Sequence, residues 1–284
     1  MKLERVIQKL LPVLPILQCP KCGTAFTVHG SSLCCEKNHC FDLSSKGYVN
    51  VAPNHRQDTD KYDESLFLSR SEIMQGSYYD QLRHLLVDLI KAHGFVDHFT
   101  LVDVGCGEGT HTEFLAQNFP NANVIGTDIS RAAIQKAAGG MTKANWMICD
   151  LKKMPLQTHS ADVLLDILTP ADYSEFARVL KPDGILIKVF PDDLYLQEIR
   201  NAVAPYLSSA EGYHSMRVGD HLTAHADVLN DCRVFEQFPL DEQASQAFLR
   251  MTPMTFSVPQ EVLQDIRITE ITIALHVCCC RLNK

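Results

Sequence analysis

Short apolar segments alternate with amphipathic segments along the chain from residue 100 onward. The apolar segments read TLVDVG, NVIGTDI, NWMICD, ADVLLDILT and ILIKVF, and segments with helical spacing, such as HTEFLAQNF and RAAIQKAA, separate them. Strands that alternate with helices of about ten residues are typical of a parallel, doubly wound sheet. Near the C-terminus, VFEQFPL and ITEITIALHVCCCRL predict closing antiparallel strands, with the helix ASQAFLRM between them. The pattern therefore predicts the α/β fold class.

The N-terminal third follows different patterns. Residues 1–18 mix charges with apolar residues and contain Pro12 and Pro15, which favours a short amphipathic helix over a secretory signal peptide. Residues 19–50 are rich in Cys, Gly and Ser, and their apolar pieces are too short for a packed core, which suits hairpins pinned by a metal. Residues 65–93 repeat apolar positions at spacings of three and four, and they predict one helix.

These patterns predict three parts: a helix and metal-binding module at 1–51, a polar linker or loop at 52–64, and the α/β domain at 65–284. Because no apolar run approaches the roughly 18 residues that span a bilayer, we expect a cytoplasmic protein without a membrane partner. The net charge of -8 argues against bulk coating of nucleic acid. Residues 1–56 nevertheless carry a net charge of +4, which suits contact with RNA phosphates.

A cysteine cluster lies in the predicted module. In an intracellular chain, such a cluster indicates metal binding more often than disulfides. Cys19 and Cys22 form a C-x-x-C pair, and Cys35 with His39 forms a second pair further along. Three thiolates and one imidazole make a closed tetrahedral set, which favours structural zinc. Two further cysteines in the cluster are alternative ligands that the spacing disfavours: Cys34 and Cys40.

A glycine-rich turn follows the first predicted strand of the α/β domain. It reads Asp103-Val-Gly105-Cys-Gly107-Glu108-Gly109. Glycines let the backbone approach a ligand closely, and the N-terminus of the next helix offers free N–H groups. The carboxylates of Asp103 and Glu108 would repel a pyrophosphate, but they suit the cationic methionine end of S-adenosylmethionine. The charges therefore favour S-adenosylmethionine over a dinucleotide.

Two later strands also end at acidic residues. Asp128 can accept hydrogen bonds from ribose hydroxyls, and Asp150, with Leu151 beside it, can meet an adenine amino group. Each acid alone could equally cap a helix. Together with ARVLKPDG before the fifth strand, they resemble class I S-adenosylmethionine-dependent methyltransferases over roughly residues 99–190. That resemblance implies a mostly parallel, Rossmann-like sheet of seven strands.

A wider resemblance covers nearly the whole chain. The segments CPKC, SSKGYVNV, LSRSEIMQGSYYDQLR and LRMTPM, with the glycine turn, resemble the family of 23S rRNA guanine-N1 methyltransferases, and the extension before Cys19 resembles its Gram-positive branch. The resemblance implies structural zinc, S-adenosylmethionine as methyl donor, and a guanine near the macrolide-binding exit tunnel as acceptor, with a consequent effect on such antibiotics. It also implies cofactor contacts at Tyr79, Gly107, Glu108 and Tyr195.

The sequence departs from the family's pattern at three places. Arg70 stands where the family has a basic pair, Ser77 replaces a glycine, and no aromatic residue precedes Pro170. These departures leave methyl transfer intact, but they alter the expected pocket for the target base.

Methylation of guanine N1 requires an extruded base and removal of the N1 proton. Asp166, at the end of the fourth strand, is the candidate that orients the base or takes the proton. Arg56 and Arg70 are candidates for phosphate contacts, and Tyr78 is a candidate for stacking on a base.

Two other functions compete with rRNA methylation. A small-molecule methyltransferase would have no evident use for the basic zinc module. The intact turn, with Asp128 and Asp150, argues against loss of the cofactor, and a non-catalytic cofactor sensor stays an alternative. No DNA partner is expected. The sequence leaves open which guanine is modified and whether the enzyme acts as a homodimer.

Overall fold

The computed structural model describes residues 2–53, 64–139, 142–206 and 215–283. Its strands are β1 (Phe26–His29), β2 (Ser32–Cys35), β3 (Cys40–Asp42), β4 (Tyr48–Asn50), β5 (Thr100–Val104), β6 (Asn123–Asp128), β7 (Asn145–Ile148), β8 (Ala161–Ile167), β9 (Leu180–Pro191), β10 (Ala226–Pro239) and β11 (Glu270–Leu282). Its helices are α1 (Lys2–Leu10), α2 (Glu64–Gln75), α3 (Asp80–Ala92), α4 (Thr110–Asn118), α5 (Arg131–Ala137), α6 (Tyr173–Val179), α7 (Gln197–Val203), α8 (Ser215–Thr223), α9 (Glu242–Met251) and α10 (Gln260–Asp265).

The main sheet has eight strands in the order β10-β11-β9-β8-β5-β6-β7-β4. Strands β4 to β9 pair in parallel, whereas β11 pairs antiparallel with both β9 and β10. The α/β class and the closing antiparallel strands are therefore confirmed. The seven expected strands are present, and β4 adds an eighth at the edge beside β7.

Strand β4 comes from the N-terminal module, so the module is built into the main sheet. Its own sheet has three strands in the order β1-β2-β3. The Gln18 N–H donates to the Pro155 carbonyl at 3.0 Å, and Lys9 Nζ donates to the Ala144 carbonyl at 2.6 Å. One cluster of buried apolar side chains includes residues of both parts, among them Leu17 and Leu156. Module and sheet thus share a core.

The single helix predicted over residues 65–93 is wrong, because the segment forms α2 and α3 with a 3-10 turn at Ser77–Tyr79 between them. The Arg83 guanidinium donates to the carbonyls of Met74 and Gly76, at 2.9 Å and 3.1 Å. It thereby supplies partners to carbonyls that a continuous helix would have used internally. Among the regularly spaced apolar residues of α3, Leu85 is half-buried, and these residues are buried: Leu82, Leu86, Leu89 and Ile90.

The sheet has two buried faces. Along β8, Val163 and Leu165 join the apolar cluster that contains α3, whereas Leu164 joins the cluster shared with the module. Because side chains alternate along a strand, Asp166 lies on the module's face. Within the described ranges, no helix is long and apolar enough to cross a membrane.

Candidate cofactor site and metal centre

The glycine-rich turn connects β5 to α4, and its neighbours leave no room for side chains at two positions. Gly105 and Gly109 have φ values of 70° and 83°, in the left-handed region that favours glycine. A Cβ atom on Gly105 would collide with Thr169, and one on Gly109 would collide with the Trp146 ring. The Cβ position of Gly107, in contrast, has no atom within 4 Å. The turn is packed from behind and open at Gly107, where a ligand can approach.

Asp128 ties this turn to the end of β6. Its Oδ2 accepts a hydrogen bond from the Gly107 N–H at 2.9 Å, and its Oδ1 accepts one from the Ser130 N–H at 2.7 Å. The cap of α5 is Ser130, whose hydroxyl accepts from the Ala133 N–H. Asp128 is therefore not the helix cap. Each carboxylate oxygen keeps a lone pair for a ligand hydroxyl.

Asp150 and Leu151 follow β7. Asp150 is exposed and caps the 3-10 turn Leu151–Lys153, because its Oδ1 accepts from the Lys152 N–H at 2.9 Å. Leu151 is half-buried beside it. The capping alternative applies here, but the second carboxylate oxygen can still meet an adenine amino group. A role in cofactor binding remains a prediction for both residues.

Glu108 is half-buried in the turn. Together with Gly109 it lines a cavity of about 660 Å³ that extends between α2, α4 and α5. Its carboxylate thus borders space that a ligand can enter. This position suits the predicted contact with a cationic group.

Asp103 is buried in β5, where its carboxylate accepts a hydrogen bond from the Thr112 hydroxyl of α4. Burial raises its pKa to about 7; the Thr112 hydrogen bond opposes this rise, and the Glu108 carboxylate adds to it. Loss of water disfavours the charged form of a carboxyl group. Near neutral pH, Asp103 can therefore gain or lose a proton when a charged ligand arrives.

We expect S-adenosylmethionine to bind about tenfold more tightly at pH 8 than at pH 6, because the cation favours ionised Asp103 and binding below its pKa must expel a proton. Calorimetry in buffers of different ionisation enthalpy measures this release. Asp103→Asn should flatten the pH dependence relative to the wild type. An equally steep dependence in Asp103→Asn would contradict the assignment.

The two tyrosines that the family resemblance implies for the cofactor are direct partners. The hydroxyls of Tyr79 and Tyr195 lie 2.7 Å apart, and both side chains are buried. Tyr79 also meets His111 of α4 edge to face. The two residues are 116 positions apart in the chain, yet the fold joins them beside the helix that follows the glycine turn. The hydrogen bond between the two tyrosines brings these two predicted cofactor contacts together in one place.

Arg70 lies close enough to this site to influence it. Burial raises the pKa values of Tyr79, Tyr195 and Asp128, and the positive charge of Arg70 opposes the rise in all three. Its Nε donates to the Met251 carbonyl at 3.2 Å. Within the described residues, its Nη atoms donate no hydrogen bond. The Nη atoms of a guanidinium near an acidic pocket suit the carboxylate of a ligand.

Asp166 is fully buried, and its partner is a residue that sequence reasoning missed. Its Oδ2 lies 2.7 Å from Nζ of Lys188 in β9. Burial raises the pKa of Asp166 to about 6, and the charge of Lys188 opposes that rise. Asp166 is thus neither a solvated nor a capping carboxylate. The signal in the sequence that could have pointed to Lys188 is its position as the one lysine in the otherwise apolar strand ILIKVF.

The four predicted metal ligands come together in the N-terminal module. Sγ atoms of Cys19, Cys22 and Cys35 and a ring nitrogen of His39 all lie within 4.8 Å of one another. Hydrogen bonding from Thr24 lowers the pKa of the Cys22 thiol to about 6. A lowered thiol pKa favours the thiolate that binds a metal.

The spacing of these atoms fits tetrahedral zinc. Cys22 Sγ lies 3.6 Å from Cys35 Sγ, and His39 Nδ1 lies 3.4 Å and 3.5 Å from the Sγ atoms of Cys35 and Cys19. Zinc binds sulfur at about 2.3 Å and nitrogen at about 2.0 Å, and in a tetrahedron such bonds separate the ligand atoms by roughly 3.5 to 3.8 Å. These four residues are therefore placed to hold a structural zinc ion.

The two alternative cysteines do not belong to this cluster. Cys34 and Cys40 are register partners on β2 and β3, and they form a disulfide. This pairing leaves the C-x-x-C pair free to bind the metal with Cys35 and His39. The spacing argument that favoured those two ligands agrees with the structure.

Tyr78 and Arg56 are the remaining candidates for RNA contact. Tyr78 is half-buried and packs edge to face against Phe238 and Phe248, at centroid distances of 5.1 Å and 4.9 Å. Arg56 lies outside the described residues. No RNA role is tested for either residue, and both remain predictions.

Comparison with known proteins places these features in one family. A zinc-ribbon model described as "RlmA, N-terminal" matches residues 17–59, and a methyltransferase domain model matches residues 101–184. A Bacillus subtilis protein assigned as a 23S rRNA guanine-N1 methyltransferase is 33% identical over 92% of this chain and 95% of its own. The 23S rRNA (guanine(748)-N1)-methyltransferase of Streptomyces fradiae is 26% identical over 95% and 98%. A solved Aquifex aeolicus S-adenosylmethionine-dependent methyltransferase covers 78% of this chain and 98% of its own, with 15% identity and a TM-score of 0.49.

The fold, the glycine turn and the metal centre define an S-adenosylmethionine-dependent methyltransferase with a structural zinc ribbon. Within that class, the chain belongs to the family of 23S rRNA guanine-N1 methyltransferases, because its Bacillus relative matches over nearly the full length of both chains. The predicted family, enzyme class and cofactors are confirmed.

Proposed function

We propose that the protein methylates N1 of one guanine in 23S rRNA, close to the macrolide-binding exit tunnel. The observation that carries the proposal is the continuity between module and cofactor sheet: β4 pairs with β7, and Asp150 follows β7. The module's net positive charge thus lies beside the acidic cofactor site. A small-molecule acceptor would give this arrangement no purpose.

The names of the relatives support an RNA substrate and suggest which guanine to examine. Both alignments extend through the zinc module as well as the catalytic domain. The Streptomyces relative is named for guanine 748, so that position is the first to examine.

S-adenosylmethionine supplies an electrophilic methyl group on its sulfonium sulfur. The bond from guanine N1 to the methyl carbon forms as the carbon–sulfur bond breaks, and the N1 proton leaves to a carboxylate or water. We assign Asp103 and Glu108 to the cationic end of the cofactor, Asp128 to its ribose, and Asp150 with Leu151 to its adenine. Asp166 remains the candidate that orients the guanine or takes its proton, and Arg56 and Tyr78 remain candidates for RNA contact.

The test uses radiolabelled S-adenosylmethionine and unmodified 23S rRNA, followed by digestion and identification of the labelled nucleoside by chromatography and mass. Label in 1-methylguanosine supports the reaction. Because a methyl group on N1 blocks base pairing, reverse transcription should stop next to the modified guanine and locate it. Cofactor binding without label in RNA, or a stop far from the exit-tunnel hairpins, would contradict the corresponding part of the proposal.

Arg70 has two competing roles, and one substitution separates them. If its guanidinium binds the cofactor carboxylate, Arg70→Gln should weaken S-adenosylmethionine binding about tenfold, the size of one charge-assisted hydrogen bond. Binding of decarboxylated S-adenosylmethionine should not change, because only the carboxylate is missing from that analogue. If Arg70 instead binds RNA phosphate, only the rRNA affinity should fall. Arg250→Gln, at an exposed neighbour of Met251, controls for loss of charge.

A further inference from the structure

A buried ion pair joins β8 to β9 directly before the segment that follows β8. Asp166 and Lys188 are register partners, and their Oδ2 and Nζ atoms lie 2.7 Å apart. Only 5% of the Lys188 side chain and none of the Asp166 side chain is exposed. Removing two charges from water is costly, and an apolar pair of similar volume would often be at least as stable. Stability alone therefore gives a weak reason for this pair.

The same ammonium also binds the segment formed by residues 168–170. Lys188 Nζ donates a second hydrogen bond to the Thr169 carbonyl at 2.6 Å. Leu168, the preceding residue, has a φ of 56°, and its N–H donates to the Val189 carbonyl at 3.0 Å. A leucine seldom adopts this left-handed conformation, which persists where the surroundings determine it. Lys188 is part of these surroundings, because its ammonium is the charged donor that binds the next residue, Thr169.

Residues 168–170 also contact the cofactor turn. The Thr169 side chain occupies the place where a Cβ atom of Gly105 would lie. A shift of Thr169 therefore changes its packing against Gly105. In addition, Leu168 presents an exposed apolar side chain at the ends of the parallel strands, where sheets of this kind bind their ligands. Residues 168–170 thus contact the cofactor turn through Thr169, and through Leu168 they reach the strand ends, where we expect the guanine to bind.

We propose that Lys188 is a positioning residue, which fixes residues 168–170 against the cofactor turn and so sets the distance between the acceptor atom and the methyl group. Asp166 acts through it, because its carboxylate accepts a hydrogen bond from the ammonium and so holds Nζ in place. The effect on catalysis rests on the proposed function, whereas the contact with residues 168–170 does not. This role also differs from that of a general base, since Asp166 then needs no contact with the guanine.

Three variants test the proposal. Lys188→Met removes the ammonium. The double variant Asp166→Leu/Lys188→Met replaces the ion pair by an apolar pair, which we expect to preserve folding. The matched control is Lys181→Met, because Lys181 and Asp162 form another ion pair between β8 and β9, at 2.8 Å but on the surface. Hydrogen exchange of the backbone amides of residues 167–169 is measured with S-adenosylhomocysteine bound. Thermal unfolding, the turnover number and its pH profile are measured in parallel.

We expect faster amide exchange at residues 167–169 in Lys188→Met and in the double variant, but not in Lys181→Met. The double variant should unfold near the wild-type temperature, with a turnover number lower by about 100-fold, since misplacement by 1 Å can cost that much. The shape of its pH profile and its affinity for S-adenosylhomocysteine should be retained.

Unchanged exchange in both Lys188 variants would overturn the proposal, and so would wild-type turnover by the double variant. A double variant that loses the wild-type pH dependence would instead identify Asp166 as the general base. If the wild type labels no rRNA, the proposed function fails, while the exchange measurement still decides whether Lys188 holds the segment.

Discussion

Replacing Cys19 and Cys22 by serine should release the zinc and lower methylation of 23S rRNA by about 100-fold or more. Structural zinc contributes roughly 10 kcal/mol or more to small modules, which is comparable with the stability of a whole domain. The three-stranded sheet of the module is too small to replace that contribution with a core. The loss should extend further, because the module also provides β4 to the main sheet and apolar residues to the shared core.

The matched control is the double variant Cys34→Ser/Cys40→Ser, which removes two other cysteines from the same cluster. It should keep one zinc per chain by elemental analysis and retain most activity, because neither residue belongs to the tetrahedral set. The Cys19→Ser/Cys22→Ser protein should unfold at a lower temperature than the control. Zinc loss from the control, or full rRNA methylation without zinc, would refute the assigned ligands or the role of the module.

Local patterns in the sequence were sufficient for the parts of the site that depend on strand ends and on ligand spacing. Carboxyl ends of neighbouring parallel strands meet at one edge of a sheet, so Asp128 and Asp150 could be placed near the glycine turn without coordinates. The zinc ligands could be chosen because a C-x-x-C pair and a C-x3-H pair are local motifs. The first inference needed only the predicted order of strands, and the second needed only the spacing of the ligands.

Other features depend on contacts between distant residues, which periodicity does not encode. The break between α2 and α3 arises because Arg83 binds carbonyls at the end of α2, and the apolar spacing continues across it. The hydrogen bond between Tyr79 and Tyr195 requires two segments that are adjacent only in the fold. Similarly, the sequence alone does not explain why Lys188 lies in an apolar strand, whereas its register with Asp166 does.

Capping was the competing interpretation for each acidic strand end, and the structure separates the cases. Asp150 does cap a 3-10 turn. After Asp128, in contrast, the cap of α5 is Ser130. Asp128 instead binds the Gly107 N–H of the cofactor turn. A carboxylate that shapes the turn and still has free lone pairs should affect cofactor binding more than one that caps an exposed turn.

We therefore expect Asp128→Ala to weaken S-adenosylhomocysteine binding by about 100-fold, because it removes both the turn contact and a charged acceptor for the ribose hydroxyls, at roughly 1.5 to 3 kcal/mol for such hydrogen bonds. Asp128→Asn keeps one acceptor oxygen, and we expect it to weaken S-adenosylhomocysteine binding by about tenfold. The control is Asp241→Ala, which removes the exposed cap of α9 and should lower stability by about 1 kcal/mol without changing the affinity. Calorimetric titration measures all three dissociation constants. Equal affinities for Asp128→Ala and Asp241→Ala would mean that Asp128 is structural only, and the ribose would then need another acceptor.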